Sequence, residues 1–411
     1  MEVLTFAALV TIICFILYLW LYTGRPKNFP PGPPGLPVFG NLLSYGAMLH
    51  LSMLKWKEQY GDVFSVYEGS TRYVILNNYD TVRKVFAEEL AAGRPTTAVR
   101  GSNRATLGGG TGLVFSEGDL WRTHRCFALS TLRDLGMGKT WLEETILKEM
   151  EEACAIFRQT NQRPFNPRET VCNSVANVIS ALIFGERFDL SDPEFSGLVK
   201  KIGLHFAKPQ LRTSLFVAGT DTTAITSLWL MAYMLQHPEV MRTVQEEIDA
   251  NVGRGNLITS TERARLPYTE AVILEVQRRA SPTPFGIPHR AREQMTINGF
   301  TIPKGTVVAA NFYSIHRDPR WWTDPEVFNP DRFLGDHGKV LRPDGFSPFG
   351  VGKRFCVGES LAKTELFIFF ANVMQRFTLQ LPPGKTISVD DYTYGTVMAP
   401  NPFELVFVPR S

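Results

Sequence analysis

Cys356 is the residue of this chain whose surroundings carry the clearest chemical signal. It lies between Gly352 and Gly358, and Arg354 precedes it by two residues. From Glu359 to Phe377, apolar residues recur at helical spacing without an internal glycine or proline. This pattern predicts a helix that starts just after the cysteine.

A cysteine in that position would favour the thiolate form. The N–H groups at the helix start and the Arg354 cation would stabilise negative charge on the sulphur and lower the pKa of the thiol. The flanking residues Gly352 and Gly358 would adopt backbone angles closed to other residues and let a flat ligand approach the main chain. Such a thiolate suits a soft or borderline metal such as haem iron, whereas a small buried cysteine in a turn is the alternative interpretation.

The spacing Phe349-x-x-Gly352-x-Arg354-x-Cys356-x-Gly358 resembles the haem-binding signature of the cytochromes P450. In that family the cysteine is the proximal thiolate ligand of the haem iron. The resemblance therefore implies haem b, iron protoporphyrin IX, bound through Cys356. It also implies the mainly α fold of this family, with a small β region.

Composition agrees with a globular enzyme. Of 411 residues, 44% are hydrophobic and 20% are charged. The net charge of +3, without a basic run, argues against nucleic acid as a partner. The cysteines are odd in number and lack zinc spacing, which predicts reduced thiols in a domain that faces the cytosol; they are Cys14, Cys126, Cys154, Cys172 and Cys356.

The N-terminal stretch predicts a membrane anchor. Leu4–Tyr22 is almost wholly apolar, and as a helix it would be roughly 28 Å long, close to a hydrocarbon core of about 30 Å. Arg25 and Lys27 follow it, so the positive-inside rule predicts that the next domain faces the cytosol. A cleaved signal peptide is the alternative, but no small-residue cleavage site follows.

A proline-rich segment separates the anchor from the remaining chain. Pro30–Pro37 cannot be helical and predicts a semi-rigid, extended hinge. We therefore expect an anchor over residues 1–23, a hinge over 24–40 and one haem-thiolate monooxygenase domain over 41–411.

Periodicity predicts mixed α and β content in this domain. Alternating residues predict a hairpin of Asp62–Tyr67 and Thr71–Leu76, and Asn298-Gly299 predicts a second one within Ile297–Pro303. A turn and a strand are expected over Gly395–Pro409. Helical spacing predicts further helices, which are Met53–Tyr60, Asp80–Leu90, Trp141–Phe157, Val171–Phe184 and Leu211–Tyr233.

Two further sites resemble haem-propionate donors of the family. Trp121 and Arg125 are four residues apart on a predicted helix and share a face, where an indole N–H and a guanidinium can meet one carboxylate. Without the resemblance they would be a common surface pair. The resemblance also assigns propionate binding to His289 after Pro288, and it places Arg354 in the haem-binding loop.

The segment Ala218-Gly-Thr-Asp-Thr-Thr223 resembles the oxygen-activation motif of the family. Its hydroxyls can bond back to carbonyls one turn earlier and bend the helix, which is also the simplest structural interpretation. The resemblance implies that Ala218 and Gly219 leave room for dioxygen. It further implies that Asp221 and Thr222 pass protons to that oxygen.

Glu275 and Arg278 form a Glu-x-x-Arg pair at i, i+3 spacing. An exposed pair of this kind would contribute only a few tenths of a kcal/mol. In the family, however, the pair binds the arginine of a Pro-x-Arg-Phe segment, which is Arg332 here. The resemblance implies a buried, structural triad that positions the cysteine loop.

The resemblance implies oxidation of a small apolar substrate. NADPH-cytochrome reductase would deliver electrons from NADPH, with cytochrome b5 as a second donor, and one oxygen atom of O2 would enter a fatty acid, steroid or xenobiotic. The location implied is the endoplasmic reticulum membrane. Pro282–Ile287 is expected to run extended beside the haem, and the predicted lining residues are mostly apolar: Thr283, Pro284, Phe285, Ile287, Val397 and Met398.

The resemblance breaks between Gly185 and Ala218. Family members place several helices there, which roof the substrate pocket, and Pro209 also prevents a long helix from extending upstream of Leu211. The sequence therefore predicts that several central helices are missing through splicing, a gene-model error or a truncated paralogue. A non-catalytic, haem-binding variant and a haem-thiolate isomerase or dehydratase remain alternative functions.

Overall fold

The computed structural model describes residues 2–22, 25–95, 112–134, 140–203, 211–395 and 397–410. Within these ranges, side chains are described except for residues 2–4, 19–22, 201–203 and 211–214. The chain forms two compact units. The first comprises Met1–Pro95, Pro284–Ile315 and Gly350–Phe355; the second comprises Thr96–Thr283, His316–Phe349 and Cys356–Ser411.

Helices dominate the described ranges. They are α1 Glu2–Tyr22, α2 Leu49–Tyr60, α3 Tyr79–Ala87, α4 Gly112–Phe115, α5 Gly118–Asp134, α6 Thr140–Gln159, α7 Arg168–Phe184, α8 Pro193–Gly203, α9 Leu211–Gln236, α10 Pro238–Asn251, α11 Pro267–Ala280, α12 Phe312–Ile315 and α13 Glu359–Arg376. The strands are β1 Val63–Glu68, β2 Thr71–Leu76, β3 His289–Arg290, β4 Met295–Ile297, β5 Phe300–Ile302, β6 Val307–Ala310, β7 Phe377–Gln380, β8 Tyr392–Thr393, β9 Ala399–Pro400 and β10 Val406–Pro409. The predicted mainly helical fold with small sheets is confirmed.

The first unit is built on a four-stranded sheet in the order β1-β2-β6-β3. β1 and β2 form the predicted antiparallel hairpin, in which Glu68 pairs with Thr71. β6 adds to β2 in parallel, with Tyr73 opposite Val307. Apolar side chains from α2 and this sheet form its core, including Met53, Trp56, Phe64, Tyr73, Ile75 and Val307.

The second hairpin also forms as predicted. β4 and β5 pair in antiparallel fashion, and the two turn residues, Asn298 and Gly299, have φ angles of 47° and 83°. Both central residues of a type I′ turn need positive φ, which Asn-Gly supplies at low steric cost. The helix predicted over Asp80–Leu90 instead ends at Ala87, because Glu88 is extended before a short 3-10 helix, Glu89–Ala91.

The core of the second unit is helical. Buried side chains from α6, α7, α9, α10, α11 and α13 form one continuous apolar cluster. α7 packs against α9, where a Cβ atom added to Gly219 would lie 2.8 Å from Ile179 Cδ1. α7 ends at Phe184, and the following Gly185 has a φ of 74°, the left-handed value that suits a glycine after a helix.

The shortened segment contains a helix that the sequence analysis did not predict. α8 runs over Pro193–Gly203 between α7 and α9, and Asp192 accepts a hydrogen bond from the Glu194 N–H at its start. Residues 204–210 lie outside the described part of the chain. The predicted effect of Pro209 on the start of α9 therefore stays a prediction.

The predicted anchor forms a helix. α1 covers Glu2–Tyr22, and large apolar side chains within its described part, such as Phe6 and Phe15, are exposed. Among the described residues, Leu215–Gln236 of α9 is long and apolar enough to cross a membrane, but it is 67% buried within the protein, as expected for a core helix. Insertion of α1 into a bilayer stays a prediction.

Candidate functional site

The cysteine loop leads directly into α13. The N–H of Cys356 donates a 3.0 Å hydrogen bond to the carbonyl of Phe349, which closes the loop. α13 then begins at Glu359, three residues later, as the sequence predicted. Cys356 itself is exposed. The thiol therefore lies just before a helix and is accessible to a ligand.

The balance of charges around the sulphur differs from the prediction. Surrounding protein raises the pKa of the Cys356 thiol by desolvation, although part of the residue is exposed, and this effect outweighs the hydrogen bond from the Gly358 N–H. The cation that lowers the pKa of this thiol is Arg125. Arg354 instead donates from Nε and Nη2 to the carbonyl of Ala92, at 3.0 and 2.7 Å. The predicted lowering of the thiol pKa by Arg354 is wrong.

The two flanking glycines have different functions. Gly352 has a φ of 74°, and an added Cβ would lie 2.2 Å from the carbonyl oxygen of Phe86. Only glycine fits there. Gly358 has an ordinary φ of −93°, and an added Cβ would make a normal 3.9 Å contact with the Cys356 sulphur. The special backbone angle predicted for Gly358 is therefore wrong, and its missing side chain keeps space free beside the sulphur.

The structure brings Trp121 and Arg125 together on α5. The Arg125 guanidinium carbon lies 5.9 Å from the centre of the Trp121 ring, and the indole is buried. Burial lowers the pKa of Arg125, while the sulphur of Cys356 acts in the opposite direction. Arg125 thus lies beside Trp121 and interacts electrostatically with Cys356. A thiolate would suit haem iron, and a guanidinium and an indole N–H would suit a haem propionate.

His289 is buried in the first unit and is already engaged. Its Nδ1 lies 2.8 Å from the carbonyl of Ala91, and its ring stacks on Phe86 at 3.7 Å. Burial and the nearby Arg94 lower the pKa of His289 well below its usual value, so the ring is neutral. Since a carbonyl can only accept, Nδ1 carries the proton and Nε2 is an acceptor. Donation from His289 to a propionate would need the ring to take up a proton.

The oxygen motif lies in the middle of α9, which is continuous through it. The hydroxyl of Thr222 donates a 2.8 Å bond to the carbonyl of Ala218, one turn earlier. Burial raises the pKa of Asp221, and Arg168 opposes this effect. An added Cβ on Gly219 would meet Ile179, so the missing side chain admits α7. Room for dioxygen beside Ala218 and Gly219 stays a prediction.

Glu275, Arg278 and Arg332 form one buried network, as the sequence predicted. Arg278 donates from Nε and Nη2 to both oxygens of Glu275, at 2.7 and 2.8 Å. Arg332 Nε adds a 3.1 Å bond, and the N–H of Asn329 a 2.9 Å bond, to Glu275 Oε1. One buried carboxylate therefore holds two cations and a backbone segment.

His316 extends this network and was not identified from the sequence. Its carbonyl accepts from Arg278, its Nδ1 lies 2.9 Å from the Ser281 hydroxyl, and its Nε2 accepts from the N–H of Ser347 at 3.1 Å. Burial lowers the pKa of His316 to about 3, so the ring is neutral. Ser347 lies two residues before Phe349, so this histidine links the triad to the chain that enters the cysteine loop.

The predicted lining residues do not follow an extended path. Pro282–Ile287 contains turns and bends, because Gly286 adopts a φ of 55° and the N–H of Tyr313 donates to the carbonyl of Pro284. In the second unit, the buried Met398 donates its N–H to Pro282 and accepts from Trp229 Nε1. The extended conformation predicted for this segment is wrong, whereas contact of the six lining residues with substrate stays a prediction.

Comparison with known proteins identifies the class. The Cytochrome P450 family model matches residues 30–210 and 208–407. The chain is 32% identical to Cytochrome P450 2U1 of Mus musculus, over 98% of this chain and 95% of that protein. It is also 32% identical to Cytochrome P450 2J5 of Mus musculus, over 100% and 97%, and 31% identical to Cytochrome P450 2J2 of Homo sapiens, over 94% and 92%.

The chain belongs to the cytochrome P450 family, whose members are haem-dependent monooxygenases. Within that family its relatives are members of family 2.

The comparisons also locate a length difference. The alignment with the mouse 2U1 protein runs over 508 positions, 97 more than the 411 residues of this chain, so at least that many positions of the relative lack a counterpart here. The two segments matched by the family model meet at residues 208–210.

Proposed function

We propose that this chain binds haem b through the Cys356 thiolate and oxidises small apolar molecules such as fatty acids, steroids or xenobiotics. The observation that carries the proposal is the grouping of Cys356 with Arg125 and Trp121 in the second unit, at the start of α13. When bound, haem supplies the activation of dioxygen, and a thiolate ligand favours cleavage of the O–O bond.

The remaining binding groups in this proposal are the propionate donors that the family resemblance implies. Trp121 and Arg125 donate to one propionate, and Arg354 and His289 hold the other carboxylate region. His289 serves there only after it gains a proton, which the negative charge of a propionate would promote. Arg354 already fixes the backbone at Ala92.

Proton delivery is assigned to Asp221 and Thr222. The Thr222 hydroxyl donates its hydrogen to the Ala218 carbonyl, which orients its oxygen. To relay a proton, the hydroxyl would turn this hydrogen away from the carbonyl while its oxygen accepts one from Asp221. Asp221 is half-buried on the same helix and can exchange protons with the protein exterior. The triad of Glu275, Arg278 and Arg332 has a structural role through His316.

Electrons are proposed to come from NADPH through a flavoprotein reductase, with cytochrome b5 as a second donor. The family 2 relatives support a location at the endoplasmic reticulum membrane, with α1 as the anchor and the remaining chain on the cytosolic side. Arg25 and Lys27, just after α1, support this orientation.

The length difference bears on activity. We propose that helices roofing the substrate pocket are absent near residue 208, which the alignment with the 2U1 protein and the break in the family match both support. An open distal side admits water and diverts reducing equivalents to peroxide. This favours a second candidate function, a haem-binding protein with little or no coupled oxidation.

The first experiment is a carbon monoxide difference spectrum of the reduced, membrane-expressed protein. A red-shifted Soret band that is lost in Cys356→Ala supports the haem-thiolate centre. A band typical of a neutral ligand, or none, contradicts it. NADPH-dependent turnover then separates a monooxygenase from an isomerase or dehydratase, which needs no reductase. Product formation per NADPH, compared with a full-length relative, separates coupled oxidation from the non-catalytic candidate.

A matched glycine pair tests the loop. Gly352→Ala places a Cβ against the Phe86 carbonyl and adds strain at positive φ. We therefore expect the free energy of unfolding to fall by about 1–3 kcal/mol and haem to be poorly retained. Gly358→Ala meets only the cysteine sulphur at 3.9 Å, so the fold should be retained. Thermal unfolding and the haem-to-protein absorbance ratio measure both effects. Equal behaviour of the two variants would contradict the assignment.

A further inference from the structure

Trp229 of α9 lies between the oxygen motif and two tyrosines of the second unit. It follows Thr222 by seven residues, which is two helical turns or about 10 Å, so both residues stand on the same face of α9. The indole is 1% exposed, and its Nε1 donates a 2.9 Å hydrogen bond to the carbonyl of Met398. The ring is therefore held in one orientation within the core.

Two tyrosines contact this indole. The ring centre of Tyr392 on β8 lies 6.3 Å from that of Trp229, and the ring centre of Tyr233, one turn later on α9, lies 6.1 Å away. All three residues belong to the second unit. Aromatic rings at this spacing are in contact. Electron transfer weakens steeply with distance, so rings in contact can exchange an electron rapidly.

The two tyrosines differ in their access to water. Tyr392 is half-buried and so retains contact with solvent. Tyr233 is 2% exposed, and its other ring neighbours are Phe328 at 4.7 Å and His237 at 6.2 Å. Burial raises the pKa of Tyr233 to about 12. A tyrosine gives up its phenolic proton when it is oxidised, which Tyr392 can do to water and Tyr233 cannot do without cost.

We propose that Trp229 and Tyr392 form an electron path that carries oxidising equivalents from the haem site to solvent when no substrate is oxidised. Indole and phenol rings are readily oxidised, whereas the ring of Phe328 is not, so the branch through Tyr233 ends inside the core. This protective function goes beyond substrate oxidation and rests on the proposed haem-thiolate site. The proposed open distal side would make unproductive reduction of dioxygen frequent.

Each step of the path transfers one electron. Trp229 gives an electron to the haem centre and takes one from Tyr392, and it keeps its N–H proton because the Met398 carbonyl is a weak base. Tyr392 releases its phenolic proton to water and then takes an electron and a proton from a soluble thiol such as glutathione. Two passages convert two thiols to one disulfide. They also supply the two electrons that, with two protons from solvent, reduce one unused oxygen atom to water.

The first test uses electron paramagnetic resonance. Peroxide is added to the haem-loaded protein without substrate, and the sample is frozen rapidly. The natural sequence should give a tyrosyl radical. Tyr392→Phe should lower that signal several-fold and leave an indole radical, and Trp229→Phe should lower it without an indole radical. Tyr233→Phe is the matched control, because it removes the other tyrosine in contact with Trp229 and should leave the signal unchanged.

A second test does not depend on haem. Cys356 is exposed in the described structure, so a ruthenium photo-oxidant can be attached to its sulphur in the full chain that carries Cys14→Ser and Cys126→Ser, which remove the other exposed thiols. A light flash should produce a tyrosyl radical that transient absorption detects. The same three variants should change its yield as in the first test. Circular dichroism checks that the labelled chain is folded.

A third readout concerns the thiol. With NADPH and reductase but no substrate, haem absorbance should fade several-fold faster in Tyr392→Phe than in the natural sequence. Added glutathione should slow the fading in the natural sequence and in Tyr233→Phe, but not in Tyr392→Phe. Equal protection of all three proteins by glutathione would overturn the inference.

The outcomes separate this inference from the proposed function. A carbon monoxide spectrum without the red-shifted band would contradict the haem-thiolate proposal, and the photo-oxidant experiment would still decide whether Trp229 and Tyr392 conduct. A tyrosyl yield that is unchanged in Tyr392→Phe, or that falls equally in Tyr233→Phe, would show that these rings only pack together. If Trp229→Phe does not fold, the contrast between the two tyrosine variants decides the question.

Discussion

Two buried glutamates of the second unit occupy opposite electrostatic environments. Glu275 is fully buried and accepts hydrogen bonds from Arg278, Arg332 and the N–H of Asn329. Glu365 on α13 is 4% exposed, and neither of its carboxylate oxygens has a hydrogen-bond partner within the described residues. The charged group that acts on it is a second acid, Glu149.

The difference teaches that burial alone does not define the function of an acidic residue. Around Glu275, two guanidinium groups replace the hydration shell that the carboxylate loses, so the charge holds a network together. Around Glu365, desolvation and the nearby Glu149 raise the pKa of the carboxyl group well above its usual value. Glu149 is itself bound by Arg187 and Asn177. The carboxyl group of Glu365 is therefore protonated and neutral in the folded protein.

The largest effect is expected for Glu275→Gln. The substitution leaves Arg278 and Arg332 buried without their counter-charge, which costs about 3–5 kcal/mol when one partner of a buried pair is lost. We expect loss of the folded state at physiological temperature, or a greatly lowered denaturant midpoint together with poor haem retention. Urea unfolding followed by circular dichroism measures it. An unchanged midpoint would refute the view that this network supports the fold.

A smaller effect of opposite sign is expected for Glu365→Gln. Because the pKa of Glu365 is raised in the folded protein, its carboxyl stays neutral there while the unfolded chain ionises above about pH 4.3. Stability is thus lost as the pH rises above that value, until the folded-state pKa is passed. Relative to the natural sequence, the free energy of unfolding of the variant should rise by about 2 kcal/mol more at pH 6 than at pH 4. Thermal unfolding at both pH values checks this, and an equal gain at both would contradict it.

The smallest effect is expected for Glu293→Gln, which provides the scale. Glu293 pairs with Lys304 at 2.9 Å, and both side chains are about 60% exposed, at 60% and 64%. Solvent screens such pairs, so the free energy of unfolding should change by less than about 0.5 kcal/mol. The same unfolding assay applies. A loss comparable to that of Glu275→Gln would mean that burial does not account for the contrast between the two regions.

Local patterns were predictable where the cause is local. Asn298-Gly299 fixes its hairpin by backbone angle, and the run after Glu359 fixes α13 by periodicity. The triad was recognised through spacing and a family resemblance. By contrast, α8 lies in the segment where that resemblance breaks, so no family pattern indicated it.

The contacts that the sequence did not predict involve partners that are distant in the chain. His289 bonds to Ala91, which is 198 residues away, and Arg354 bonds to Ala92, so neither side chain's direction follows from its own neighbours. Gly358 shows that a glycine beside a reactive group need not have a special backbone angle. The neutral state of Glu365 also has no sequence signature, because it depends on which hydrogen-bond donors and cations the fold places near the carboxyl group.

The parallel pairing of β2 with β6 has a consequence for synthesis of the chain. Leu76 pairs with Ala310, so this ladder forms only after Ala310 has been synthesised. The first unit also includes Gly350–Phe355, which is synthesised later still. At about 5–20 residues per second, the edge of β2 stays unpaired on the ribosome for roughly ten to fifty seconds. An exposed strand edge is a template for wrong pairing, so the nascent protein should depend on chaperones during that interval.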